Sequence, residues 1–155
     1  DFIKYSLSVQ NRRKSRAGAS LEHHLREIFK AQELLFVEQK ITEQNSKPDF
    51  LFPGIDNYHD EGFNAGLLTM LGAKSSCKER WNQVLAEAER IPHKHLFTLE
   101  ASISPKQTDK MQEKNLQLVL PEIIHQTFLP EQQEWLLNLD NFVDLVKERQ
   151  VQAGL

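Results

Sequence analysis

The sequence is poor in the residues that build disulfide-bonded, fibrous or membrane proteins. Cysteine occurs once in 155 residues, at Cys77, so an internal disulfide is excluded and stability must come from a hydrophobic core. No apolar run approaches the roughly 18 to 20 residues that span a bilayer, and the N-terminus lacks the apolar stretch of a signal peptide. Six Gly and six Pro, without any repeat, exclude collagen and low-complexity chains. We therefore expect one soluble domain over residues 1–155, in a reducing intracellular compartment and without a membrane partner.

Positive charge is concentrated at the N-terminus, although the formal net charge of the chain is −3. The first 16 residues carry five Lys and Arg side chains and one acidic side chain. This basic arm, placed at residues 1–19, has two interpretations. It lies against a polyanion through side chains such as Arg13, Lys14 and Arg16, or it is a solvated arm that keeps the domain soluble.

The spacing of apolar residues predicts helices alternating with strands. The expected helices are 20–32 with Ser20 as N-cap, 79–91, a polar helix that begins at Ser104-Pro105, 131–138, and 141–149 with Asp140 as cap. The expected strands are 35–41, 49–52, 67–71 ending at Gly72, 95–100, and an edge strand at 116–124 that Pro121 interrupts. This alternation indicates a three-layer α/β domain with a central mixed sheet flanked by helices.

Three residues in this arrangement are suited to phosphate chemistry. Asp49 opens the second strand, Lys74 follows the third strand, and Glu87 lies at the border of the buried face of the second helix. Two converging carboxylates are the oxygen ligands that Mg²⁺ requires. A lysine beside such an ion can orient or deprotonate water and stabilise the negative charge of a transition state. Taken singly, each residue is better explained by an ordinary structural role: Asp49 as a turn carboxylate, Lys74 as a solvated lysine and Glu87 as a charge on a polar helix face.

The joint spacing of these residues resembles the PD-(D/E)XK nuclease superfamily. In one variant of that superfamily the second acid is supplied by the helix after the lysine, thirteen residues later, as Glu87 follows Lys74 here. Gly72 stands where the ordinary motif carries its acid. Four segments, from about Arg13 to Phe128, are similar in order and spacing to the catalytic domain of EcoRII-like restriction endonucleases; they read SRAGASLE, KPDFLFP, KxxxKERW and KHLFTLE.

This resemblance implies a restriction-endonuclease-like fold and a Mg²⁺-dependent type II restriction endonuclease. It implies a homodimer in the cytoplasm of a bacterium or archaeon, cutting double-stranded DNA at a CCWGG or CCNGG type of site and leaving a 5′-phosphate. Asp49, Lys74 and Glu87 are then the catalytic positions, and Asp49 and Glu87 hold the metal. Glu22 matches a supporting acid on the first helix, although a glutamate in a first helical turn is also explained by the helix dipole.

A cation–anion–cation triplet, Lys78-Glu79-Arg80, is expected at the N-terminus of the second helix. In the major groove, Lys78 and Arg80 can donate to guanine N7 and O6, while Glu79 accepts from cytosine N4. On a two-fold dimer this predicts a palindromic CC/GG site. A surface ion pair between Glu79 and one of its neighbours is the competing interpretation.

Two other functions remain open on the sequence. One is a structure-selective or repair nuclease with the same core chemistry, and the other is a DNA-binding module that has lost catalysis. Among the remaining candidates, His93 and His95 lack a third metal ligand with suitable spacing. Cys77 is expected to be a buried hydrophobe, and Tyr58 either touches a phosphate or fills the structure. Trp81 and Trp135 are expected in the core.

Overall fold

A five-stranded mixed sheet forms the centre of the molecule. The computed structural model of the chain describes residues 17–155 apart from residue 79. The strands are β1 (Val37–Glu38), β2 (Phe50–Phe52), β3 (Thr69–Lys74), β4 (Lys94–Thr98) and β5 (Leu116–Val119), and they lie in this order across the sheet. β1, β2 and β3 pair antiparallel, whereas β3, β4 and β5 pair parallel. The mixed sheet and the edge position of β5 are therefore as predicted.

The helices in the described part of the chain are of unequal length. They are α1 (Ala17–Ala31), α2 (Ile55–His59), α3 (Asn82–Leu85), α4 (Pro105–Glu113), α5 (Glu122–His125), α6 (Pro130–Trp135) and α7 (Leu139–Gln152), with a 3₁₀ turn at Ala65–Leu67. None of them is both long and apolar enough to cross a membrane.

The two faces of the sheet carry different helices, which gives the domain three layers. Phe50 and Phe52 of β2 point to one face, where their rings meet Phe29 of α1 at 5.1 and 5.3 Å between centroids. Phe142 of α7 packs on the same face, 5.7 Å from Phe52. On the opposite face, Gly72 of β3 lies against Val84 of α3. Because successive strand residues alternate between faces, the predicted arrangement of a sheet between helices is confirmed.

The first helix and the first strand differ from their predicted bounds. α1 begins at Ala17 rather than at Ser20, so Ser20 is inside the helix and is not its N-cap. The strand expected at 35–41 is reduced to Val37–Glu38. It ends there because Gln39 adopts a left-handed backbone conformation with φ of 53°, which does not continue a strand.

The prediction of a long helix over 79–91 is wrong. Only Asn82–Leu85 is helical, and Ala88 has a left-handed φ of 49°. The backbone N–H groups of Ala88, Glu89 and Arg90 donate to side chains from other parts of the chain rather than to helical carbonyls. The apolar spacing correctly identified buried positions, since Val84 and Ile91 are both buried. In residues 88–90, however, hydrogen bonds to distant side chains determine the backbone conformation.

Three further boundaries were misplaced near the C-terminus. The β5 strand ends at Val119, and the segment after Pro121 forms α5 rather than a strand. α6 ends at Trp135, three residues before its predicted end. α7 begins at Leu139 and its cap is Asn138, whose side chain accepts from Asn141 N at 2.8 Å, so Asp140 is not the cap. The predicted cap of the polar helix is confirmed, because the Ser104 hydroxyl accepts from Gln107 N.

Candidate active site

Asp49 is held in a fixed orientation at the start of β2. Its Oδ2 accepts from the backbone N–H of Ala73 on β3 at 2.7 Å, and its Oδ1 accepts from Gln39 Nε2 at 2.8 Å. The antiparallel pairing of β2 with β3 brings these residues together. A carboxylate bound through both oxygens has little rotational freedom, so the chain presents Asp49 beside the end of β3.

Lys74 is the last residue of β3 and lies directly after the residue that anchors Asp49. It is half-buried, and its backbone pairs with Thr98 in the parallel ladder of β3 and β4. The strand runs through Gly72 to Lys74 instead of stopping at Gly72 as predicted. The ammonium group is therefore carried by regular sheet rather than by a loop, which suits a precisely placed catalytic group.

Glu87 lies in the irregular segment after α3, not on a helix as predicted. The segment is held from several sides. Ala88 N donates to Ser46 Oγ at 3.3 Å, and Glu89 N donates to Glu43 Oε1 at 3.1 Å. The buried Lys94 ammonium donates to the carbonyls of Ala88 and Ile91. These contacts fix the backbone on which Glu87 stands.

The Glu87 carboxyl group is buried next to other acids. Its Oε1 is buried and has no hydrogen-bond partner among the described residues. Burial, followed by the charge of Asp49, raises the pKa of Glu87 to about 7, against the opposing effect of Lys74 and Lys94. Glu87 therefore lies within electrostatic range of both Asp49 and Lys74. The raised pKa means that the side chains around Glu87 supply too little positive charge to favour its ionised form beside Asp49.

Glu22 belongs to the same cluster. Gln39 Nε2, which binds Asp49, also donates to Glu22 Oε1 at 3.2 Å. Burial, followed by the Asp49 charge, raises the pKa of Glu22. Because α1 begins at Ala17, Glu22 lies in its second turn, and an interaction with the helix dipole no longer accounts for it. The structure thus places Glu22 near Asp49, and the side-chain amide of Gln39 binds both carboxylates.

The residues of the predicted base-reading triplet precede α3 rather than form its first turn. Lys78 and Arg80 are exposed in the turn before Asn82, while Glu79 lies outside the described residues. Lys78 N donates to Glu100 Oε1 at 3.1 Å, and Arg80 Nη2 donates to the carbonyl of Ser76 at 3.0 Å. The basic arm candidates Arg13, Lys14 and Arg16 also fall outside the described part of the chain.

The remaining sequence candidates have structural roles. His95 is buried against Phe142, and its pKa falls to about 3 because of burial, then the nearby His93 and Arg149 charges, so it remains neutral. Tyr58 is buried and donates its hydroxyl to Glu43, which supports the Glu87 segment and excludes phosphate contact. Cys77 and Trp81 are buried as expected. Trp135 is partly buried and packs against the core.

The residues of this site fit a hard divalent cation. The atoms that could bind a cation here are carboxylate oxygens. One of them, Glu87 Oε1, is buried and has no hydrogen-bond partner in the described chain. No three His, Cys, Asp or Glu side chains of residues 17–78 and 80–155 converge as a ligand group. This is compatible with Mg²⁺, which is commonly held by one or two carboxylates together with water and substrate phosphate.

Comparison with known proteins decides the family. The model of the EcoRII C-terminal family matches residues 1–143. The chain belongs to the EcoRII C-terminal family. A curated relative, the type II restriction enzyme EcoRII of Escherichia coli, is 45% identical over 144 residues. This match covers 92% of the chain and 36% of the relative, so the chain spans about a third of the length of EcoRII.

Solved structures show the same fold for this EcoRII C-terminal domain. Metal-depleted Ecl18kI in complex with uncleaved DNA aligns with a TM-score of 0.76 and 23% sequence identity. Metal-depleted Ecl18kI with uncleaved, modified DNA gives the same values. Each alignment covers 95% of this chain and 50% of the Ecl18kI chain. The restriction-endonuclease-like fold expected from the sequence is therefore confirmed.

Sequence reasoning missed the residues that organise the EcoRII C-terminal site. Gln39 joins Glu22 to Asp49, Lys94 supports the Glu87 segment, and Glu100 binds the turn that carries Lys78. Lys94 and Glu100 are the first and last residues of the KHLFTLE segment. The signal in the sequence was a charged residue at each end of an apolar segment, Lys94 before it and Glu100 after it. Gln39 offered none, because it stands alone in a polar loop.

Proposed function

We propose that this domain is the catalytic part of a Mg²⁺-dependent type II restriction endonuclease that hydrolyses double-stranded DNA. One observation carries the proposal. Glu87 lies within electrostatic range of Asp49 and Lys74, its Oε1 is buried without a partner among the described residues, and burial followed by the Asp49 charge raises its pKa to about 7. A structural ion pair would instead lower the pKa of its acid.

Asp49 and Glu87 are the residues that would hold the metal. A bound Mg²⁺ supplies positive charge to a phosphoryl oxygen and lowers the pKa of water. Gln39 and Ala73 N–H keep the Asp49 carboxylate oriented, and Lys94 keeps the Glu87 backbone in place. Glu22 adds a further carboxylate at the edge of this group and is a supporting rather than a ligating residue.

Lys74 serves the attacking water. Its amine orients the water or takes its proton, and its positive charge stabilises the additional negative charge of the pentavalent transition state. The water oxygen bonds to phosphorus and loses a proton, the bond between phosphorus and the 3′ oxygen breaks, and that oxygen takes a proton from solvent water. The products are a 3′-hydroxyl and a 5′-phosphate.

The relatives support this proposal and its choice of substrate. EcoRII is described as a type II restriction enzyme, and the Ecl18kI structures hold DNA that is uncleaved in the absence of metal. We propose a homodimer that reads a palindromic CC/GG site of the CCWGG or CCNGG type. Lys78 and Arg80 donate to guanines and Glu79 accepts from cytosine, while Arg13, Lys14 and Arg16 contact phosphates.

Cleavage of a mixed-sequence plasmid, followed by sequencing of the new ends, tests the proposal. With Mg²⁺ we expect discrete ends that share one CC/GG motif and carry 5′-phosphates, and no cleavage with EDTA. Lys74→Met should cut at least about 100-fold more slowly while binding the site normally, because the ammonium group acts mainly in the transition state. Lys110→Met, which removes an exposed lysine on α4, is the matched control and should cut normally.

Three results would contradict the proposal in different ways. Random ends would indicate a repair nuclease. Binding without any cleavage by the wild-type protein would indicate a DNA-binding module. Retention of more than about a tenth of wild-type cleavage by Lys74→Met would remove this residue from the chemistry.

A further inference from the structure

The turn that carries Lys78 and Arg80 is bound to the sheet through one carboxylate. Glu100 lies two residues beyond the end of β4. Its Oε1 accepts from Ser76 Oγ at 3.0 Å, Cys77 N at 2.8 Å and Lys78 N at 3.1 Å. A single charged oxygen with three donors forms stronger hydrogen bonds than a neutral acceptor would. Two of the donors are backbone groups, so this contact determines the path of the main chain at Lys78.

The same end of β4 is also linked to the catalytic strand. Thr98 pairs with Lys74 in the ladder, and its hydroxyl donates to the carbonyl of Ser75 at 3.4 Å. The Thr98 hydroxyl in turn accepts from the backbone N–H of Glu100 at 3.2 Å. Only three residues separate Lys74 from Lys78 along the chain. One end of this short connection pairs with Thr98 of β4, and the other end binds Glu100 just beyond β4.

The contacts of Glu100 are restricted to this turn. In the part of the chain that the structure describes, all hydrogen bonds of its side chain go to residues 76–78, and its Oε2 is buried without a partner. A buried carboxylate oxygen without a partner costs free energy. The hydrogen bonds of Glu100 therefore serve this turn and no other part of the described chain.

We infer that Glu100 is a positioning residue for sequence discrimination, which sets where Lys78 and Arg80 stand relative to the catalytic Lys74. The inference rests on the proposed function, since it assumes that this turn reads base pairs. Hydrogen bonds to base edges depend on placement within a few tenths of an ångström, whereas attraction to phosphates does not. Loss of Glu100 therefore weakens the distinction between correct and altered sites more than it weakens DNA binding in general.

Competition binding of two short duplexes tests the inference. One duplex carries the site defined by the plasmid ends, and the other has one base pair of the CC step replaced. We expect Glu100→Ala to lower the ratio of the two affinities by at least about tenfold and to change the affinity for a duplex without a site by less than about twofold. Glu100→Gln keeps an acceptor oxygen and should retain most of the discrimination. Glu113→Ala, at an exposed position on α4, is the matched control.

Amide hydrogen exchange supplies a readout that needs no DNA. The Cys77 and Lys78 amides should exchange faster in Glu100→Ala than in the wild type, because their acceptor is gone. If Glu100→Ala does not fold, Glu100→Asp serves instead; it keeps the charge but is one methylene too short to bind all three donors. It should lose discrimination in the same way.

The outcomes separate this inference from the proposed function. Motif-bearing ends from the wild-type protein together with unchanged discrimination in Glu100→Ala and Glu100→Asp would overturn the inference alone. A uniform loss of affinity for all duplexes would overturn it as well, since that result indicates a general structural role. Random ends from the wild-type protein would overturn the proposed function, and this inference with it.

Discussion

Glu87 has its raised pKa because the chain buries it beside Asp49 without giving it a hydrogen-bond donor among the described residues. Ordinary values near 4.5 apply to this carboxyl group in the unfolded chain, whereas the folded value is about 7. Between these two pH values the folded state binds the proton and the unfolded state does not. The contribution of Glu87 to stability therefore falls as the pH rises through this window, and it is favourable only on the acidic side.

The first prediction follows from this difference. In the metal-free protein, the melting temperature of the wild type relative to Glu87→Gln should decrease from about pH 5 to about pH 8, because glutamine does not ionise. Addition of Mg²⁺ at about pH 8 should raise the melting temperature of the wild type and leave Glu87→Gln unchanged.

Calorimetry with Glu131→Gln provides the control, since Glu131 is an exposed carboxylate on α6. A parallel pH profile for wild type and Glu87→Gln would show that Glu87 titrates normally. A Mg²⁺ response that survives in Glu87→Gln would place the cation elsewhere.

Asp49, Lys74 and Glu87 were predicted as catalytic residues from their types and from a spacing that resembles the PD-(D/E)XK superfamily, and their catalytic roles stay predictions. The sequence did not predict the partners of Asp49. The backbone N–H of Ala73 donates to Asp49 because β2 pairs with β3. The side chain of Gln39 donates to Asp49 from a backbone position with positive φ. Every residue except proline has a backbone N–H, so the sequence does not indicate which one binds a carboxylate. A single glutamine in a loop belongs to no periodic pattern that would mark it. The orienting contacts of a site are for this reason harder to predict than its reacting groups.

At the scale of the elements, the packing of α3 on β3 accounts for the glycine at position 72. A Cβ atom at Gly72 would lie 3.1 Å from Val84 Cγ2 and 3.3 Å from Leu96 Cδ1. A carboxylate at this position would therefore collide with the apolar layer under α3. In the proposed site the second acid is Glu87, in the segment that follows α3.

A double-mutant cycle tests this account. Gly72→Val should destabilise the protein by about 1–3 kcal/mol or more, because its side chain overpacks the layer that Val84 occupies. Combining it with Val84→Ala, which removes two methyl groups from the same place, should cost clearly less than the sum of the two single changes. Urea unfolding gives the three free energies, and additivity within about 0.5 kcal/mol would show that the two residues do not compete for space.

The elements that the sequence placed well are those in which packing and local preference agree. The apolar spacing in α1 and the run of buried residues in β3 were recognisable for this reason. The second half of the expected 79–91 helix was not, because its apolar spacing was helical while its amides had partners elsewhere. Those partners, Ser46, Glu43 and Tyr58, lie more than 30 residues away in sequence.

At the scale of the whole molecule, Phe29 joins three parts of the chain. Its ring contacts Phe36 at 5.7 Å, Phe50 at 5.1 Å, Phe52 at 5.3 Å and Phe142 at 6.1 Å between centroids. The side chain is fully buried. These rings come from α1, the segment before β1, β2 and α7, so the first and last helices are held to the sheet through one aromatic cluster.

Phe29→Ala should therefore lower the free energy of unfolding by about 3–5 kcal/mol, as expected for a large cavity in a rigid core, and Phe29→Leu by less. Chemical denaturation followed by circular dichroism measures both values. Val151→Ala is the control on α7, where the side chain is 73% exposed, and should change stability by no more than about 0.5 kcal/mol. A loss below about 1 kcal/mol in Phe29→Ala would show that the cluster is not cooperative.

The order of the strands has a consequence for how the protein is made. Strands that are neighbours in the sheet are also neighbours along the chain, so each new strand from β2 onward meets its partner already synthesised. The sheet can thus grow at one edge in the order of translation. α7 arrives last, yet it covers Phe29 and Phe52 and binds Leu35 through Gln150. A nascent chain that pauses before residue 139 lacks the helix that covers this aromatic face, and Phe29 and Phe52 are then more exposed to water than in the complete fold.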